Sequence, residues 1–115
     1  MVAVISEVTP AQGKLDTYLA IAGRIRPEVE KLDGFVSAER FQSISNPGKY
    51  LSLSFFRDEA AAAAWRNALS HRMAQAQARR ELFADYRIRV AEVTRDYGKS
   101  GREQAPADSR AAHKG

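Results

Sequence analysis

The stretch EAAAAAWRNALSHR, from Glu59 to Arg72, sets the chain's one tryptophan, Trp65, behind five alanines and follows it six residues later with His71. An imidazole with an unperturbed pKa of about 6.5 is a natural general base near neutrality, and His71 is the single histidine ahead of the C-terminal tail. An indole flanked by alanines can project past its small neighbours and roof a cavity, with its N–H available to a ligand oxygen. Asn67 and Arg72 stand beside the pair as hydrogen-bonding groups. Each residue also has a plainer reading. Trp65 can be core packing, His71 an exposed helix residue, and the column Asn67, His71 and Gln75 a solvated helix face. On a continuous helix Trp65 and His71 point about 120° apart, so a shared site requires a bend between them.

The rest of the chain limits what else could react. With 115 residues and a hydrophobic content of 44%, there is room for one domain with an ordinary core. Cysteine is missing, which removes disulfides, thiolate metal sites and a cysteine nucleophile and leaves a cytoplasmic setting open. The N-terminal MVAVISEVTP lacks a basic n-region, and no later stretch reaches membrane-spanning length, so a soluble cytoplasmic protein without membrane contact is expected. A formal net charge of +4 does not argue for nucleic acid, because the basic residues are interleaved with acids, as in RRELFADYRIRVAEVTRD. No phosphate-cradling glycine loop, paired-acid pattern or histidine-rich metal motif is present.

Hydrophobic periodicity supplies the elements that must position these residues. Val2 to Val8 alternate as a strand that ends near Thr9. From Lys14 to Lys31 the apolar residues recur at helical spacing, with Pro27 as a point of kinking and Asp33-Gly34 as the stop. FVSAERFQSI and YLSLSFF alternate around SNPGK and predict a hairpin. In the second strand Leu51, Leu53 and Phe55 mark one face, and Tyr50, Ser52, Ser54 and Phe56 mark the other, which is expected to be bare until a partner sheet covers it. Asp58 caps a second helix; Ser70 restarts it after a bend, with a second leg to Arg80. FADYRIRVAEVTRDY is the last strand, and residues 99–115, poor in large apolar side chains, predict a disordered tail. The order strand, helix, strand, strand, helix, strand is that of an α+β ferredoxin-like βαββαβ fold, with both helices on one face of an antiparallel sheet and residues 1–98 as the domain. Its bare face predicts a homodimer joined sheet to sheet.

With this element order and the run FFRDEAAAAAWRNALSHRMAQAQARRELFADYRIRVAEVTRDYG, the chain resembles the antibiotic biosynthesis monooxygenase superfamily of dimeric α/β-barrel proteins over about Met1 to Gly98. The resemblance implies a homodimeric monooxygenase acting on a small electron-rich aromatic, such as a phenol or quinol, with dioxygen as co-substrate and no bound cofactor. In such a scheme the protein deprotonates the substrate, orients it, steadies developing negative charge and excludes water, while the aromatic anion passes one electron to dioxygen and recombines. His71 would be the base, Trp65 and Asn67 would position the ring, and Leu53, Phe55, Arg72, Phe83 and Tyr86 would bind the substrate. A haem-opening branch of the superfamily has an asparagine on strand one and a histidine about ten residues after the tryptophan. Ser6 and Gln75 stand at those positions here, and neither ligates iron well. Haem is the alternative cofactor, and a non-catalytic dimeric module for a small apolar ligand is the third reading.

Overall fold

The computed structural model describes residues 1–75 and 79–108, and for 70–75 and 79–80 the description is of the backbone alone. The elements are β1 (Val2–Pro10), α1 (Leu15–Glu30), β2 (Phe35–Gln42), β3 (Tyr50–Phe56), α2 (Glu59–Gln75), the single turn α3 (Arg79–Leu82) and β4 (Phe83–Glu92). The strands form one antiparallel sheet in the order β2-β3-β1-β4. This is the ferredoxin-like βαββαβ fold that the periodicity predicts.

Both helices pack on the same face of the sheet because their apolar stripes and one set of alternating strand residues bury each other. Val2, Val4 and Val8 of β1 meet Tyr18, Ile21, Ile25 and Val29 of α1, and Ala61, Ala62 and Trp65 of α2, in a single core. Pro27 is accommodated within α1. Asp58 starts α2 as expected: its Oδ1 accepts from the Ala61 N–H at 2.9 Å. That bond, followed by Arg57, holds the Asp58 carboxyl below its usual range. Arg57 also donates to Asp33, at 3.0 Å, tying the loop after α1 to the start of α2. In the same loop Gly34 adopts a φ of 86°, and a Cβ there would sit 2.8 Å from the Cβ of Ala61. Glycine and alanine together therefore let the chain ends of α1 and α2 close over the sheet.

Three expectations need correction. First, α2 is one uninterrupted helix from Glu59 to Gln75, so Ser70 does not restart it. A serine inside a helix can bond back to its own turn or face solvent without breaking the ladder, so its cap propensity is overridden by the helical residues on both sides. Second, the two faces of β3 are exchanged. Val2 pairs with Phe56, Val4 with Ser54, Ser6 with Ser52 and Val8 with Tyr50, which sets Tyr50, Ser52, Ser54 and Phe56 under the helices, with Phe56 fully buried. Leu51, Leu53 and Phe55 point to the open face. Third, the last strand stops at Glu92. Beyond it the chain, as far as Asp108, is held in local turns: Gln104 accepts from the Asp96 N–H, Arg102 lies over the Tyr97 ring, and Ala105 is buried. The end of the expected tail, 109–115, lies outside the described residues.

Candidate active site on the helix face

Cross-strand register assembles the site from four strands. Arg40 of β2 pairs with Ser52 of β3, Ser52 with Ser6 of β1, and Ser6 with Ile88 of β4, so these four make one row across the helix face. The neighbouring row is Gln42, Tyr50, Val8 and Tyr86. Two serines in the middle of the first row leave little side-chain bulk beneath the helices. Tyr18 of α1 spans both rows from above. Its ring lies 6.4 Å from Tyr50 and 5.5 Å from Phe83, centroid to centroid, and Phe83 in turn lies 6.1 Å from Tyr86. The Tyr18 hydroxyl accepts from Arg40 Nε at 2.8 Å, and the Arg40 guanidinium sits 5.1 Å from the same ring.

The group that stands out chemically is the Ser6 hydroxyl. Ser6 is 8% exposed, and its Oγ has no hydrogen-bond partner among the described residues. A buried hydroxyl left unpaired is destabilising by about 1–3 kcal/mol, so it is either a tolerated flaw or a group held ready for something that enters. It lies between Val4 and Val8 on β1, under the helices, with its oxygen enclosed.

The sequence-derived residues divide between the two faces. Trp65 is on the helix face, 8% exposed and 6.2 Å from the Phe56 ring, so its indole is part of the packed core. Phe83 and Tyr86 share that face through their contacts with Tyr18 and with each other. Leu53 and Phe55 do not: they lie across the sheet from Trp65 and cannot line a space beneath α2. Asn67 is exposed on α2. The side chains of His71 and Arg72 lie outside the described residues, but on an uninterrupted helix positions 65 and 71 are about 120° apart. No break in the helix separates them. Sequence reasoning missed Arg40 and Tyr18 and treated Ser6 only as a poor iron ligand. The serine alternation in β3 was too weak a signal to name them: Ser52 pairs with Ser6, but Ser54 pairs with Val4.

The open face carries a different chemistry. Glu7 accepts from Arg89 at 2.9 Å and pairs with Lys49 at 3.4 Å, and these two cations, Arg89 first, hold its carboxyl below the ordinary range. Two surface cavities among the described residues, of about 220 and 430 Å³, lie around this network, and Glu7 and Lys49 line both. At the two positions considered for haem ligation, strand one carries the Ser6 hydroxyl, a poor iron ligand, and the side chain of Gln75 lies outside the described residues.

Comparison with known proteins agrees with this architecture. Residues 1–77 match the family model for antibiotic biosynthesis monooxygenase, and the chain belongs to that family. Over 94 residues, 82% of the chain, it is 47% identical to a protein of Pyricularia oryzae named jasmonate monooxygenase ABM, and it spans 44% of that relative's length. Among solved structures, Rv0793 from Mycobacterium tuberculosis aligns over 84% of this chain and 98% of its own, with a TM-score of 0.72 at 19% identity. SO0527 from Shewanella oneidensis aligns over 78% and 87%, with a TM-score of 0.67 at 18% identity. These two likenesses are of fold.

Ser6→Ala tests the status of the orphan hydroxyl. If the group is held for a ligand, the variant is more stable than the parent by about 1 kcal/mol in denaturant unfolding, while binding of a small-molecule ligand weakens. A variant that is less stable by a similar amount would mean that the hydroxyl already has a partner in the resting protein.

Proposed function

We propose that the protein is a monooxygenase for a small, largely apolar molecule bound between the helices and the sheet, with dioxygen as co-substrate. The observation that carries this reading is the 47% identity, across most of the chain, to a relative named as a monooxygenase. The buried, unpaired Ser6 hydroxyl supports the helix face as the place where the substrate lies. For a phenol or quinol the chemistry needs no external reductant. A phenol with a hydrogen at the para carbon takes one oxygen atom from dioxygen, forms a quinone and releases the second atom as water. In this scheme His71 removes the phenolic proton, Trp65 walls the apolar end of the site, and the tyrosine hydroxyls over the serine row steady negative charge as it moves onto oxygen. Jasmonate enters as a second substrate candidate through the relative's name; hydroxylating an unactivated carbon consumes two further electrons, which an added reductant must supply.

The second part of the proposal is a homodimer through the open sheet face. Phe41, exposed at 43%, adjoins Leu51, Leu53, Phe55 and Ile5, and no helix of the described chain covers them. An apolar sheet face of this kind is suited to a second copy of itself.

Oxygen uptake with a panel of quinols, and with jasmonate plus a reductant, tests the activity. Turnover is expected with at least one of them, and His71→Ala should lower it by about 10²-fold or more. Haemin titration is expected to give no Soret band of a ligated iron. A ligated band would move the chain to the haem reading, and silence in every assay would favour a non-catalytic binding module. For the dimer, Leu53→Asp should convert the species seen by light scattering from two copies to one; a persistent dimer in both Leu53→Asp and Phe55→Asp would place the contact elsewhere.

A further inference from the structure

We propose that the Arg40 end of the serine row is a carboxylate-binding subsite, so that the molecule held on the helix face is an apolar acid lying across Ser52 and Ser6. The inference deepens the binding site proposed above and rests on that site being on the helix face.

Arg40 is held in place by an aromatic residue and not by an acid. Arg26 is paired with Glu30, Arg57 with Asp33 and Asp58, and Arg89 with Glu7. Arg40 faces no carboxylate among the described residues; its one hydrogen bond, from Nε, goes to the Tyr18 hydroxyl. That bond and the stacking on the Tyr18 ring fix the plane of the guanidinium while leaving the terminal nitrogens without an acceptor among the described residues. A guanidinium held in this way presents a planar pair of donors that matches the two oxygens of a carboxylate. It is solvent-exposed at the rim of the sheet, whereas Ser6, two strands further in, is buried and unpaired.

The two observations are independent and lie on one line. Adjacent strands are about 4.8 Å apart, so the row from Arg40 to Ile88 covers roughly 14 Å across three strand intervals. Along it the chemistry changes in order: a cation, two hydroxyls, then an apolar end where Ile88 and Tyr86 are exposed at 47% and 58%. Tyr18, Tyr50 and Phe83 supply aromatic surface above and beside the hydroxyls. A carboxylate separated from an apolar body by a few carbons satisfies all three segments, with an oxygen of the body accepting from Ser6. A neutral ligand of the same shape leaves the guanidinium with water.

Calorimetric titration with 4-phenylbutyrate and its methyl ester, two probes that differ by one charge, tests the subsite on the intact chain. The wild-type protein should bind the acid at least about tenfold more tightly than the ester. Arg40→Gln should reduce that preference to about one by weakening the acid alone, and Arg40→Lys should keep part of it. Circular dichroism confirms that each variant is folded, and the lysine variant provides the test if the glutamine variant is not. Equal binding of acid and ester, no binding of either at millimolar concentration, or a preference that survives the loss of Arg40 would overturn the proposal. Because the readout needs no turnover, it is separable from the oxygenase reading. An inactive protein with an Arg40-dependent preference fails only as an oxygenase, and an active one with no preference fails only here.

Discussion

The register between β1 and β3 decides what every other part of the molecule can do. Strand side chains alternate with a period of two, so pairing Val2 with Phe56 commits every second residue of both strands to the helices. Slipping β3 by one residue against β1 would bring Leu51, Leu53 and Phe55 inward and turn Ser52 outward, away from Ser6. The observed pairing instead gives a helix face that is apolar at the Val2 end, where Phe56 and Trp65 meet, and polar in the middle, where the serines lie. The site is thus a consequence of parity.

The alanine run has its own role in that arrangement. Ala61 and Ala62 are buried, and Gly34 touches the first of them, so α2 sits close to the sheet at its N-terminal end. Close approach there packs Trp65 into the core. What α1 contributes at the other end is larger: Tyr18 reaches across two rows and links Arg40, Tyr50 and Phe83. One helix closes the core and the other overhangs the polar row, a division of labour that follows from small residues on α2 and an aromatic on α1.

The order of elements was legible because each has a strong periodic signal and clear punctuation, as with Asp58 before the alanines and Gly34 after α1. Family membership was legible in the run from Phe55 to Gly98. Which face of β3 looks inward was not, since both faces carry large apolar residues and a single strand pattern does not say where its helices lie. Leu53 and Phe55 were assigned to the site for that reason. The restart at Ser70 failed because a cap residue acts only where the chain already leaves the helix. Arg40 gave no signal at all: its meaning depends on Tyr18, twenty-two residues earlier, and on the absence of an acid within reach among the described residues.

A crystal structure of the protein soaked without oxygen in a quinol that it oxidises, or in the acid that it binds best, tests the account most directly. The account predicts density on the helix face, over Ser6 and beneath Tyr18, with a ligand oxygen within hydrogen-bonding distance of the Ser6 hydroxyl. Density confined to the open face, in the cavities beside Glu7 and Lys49, would contradict it.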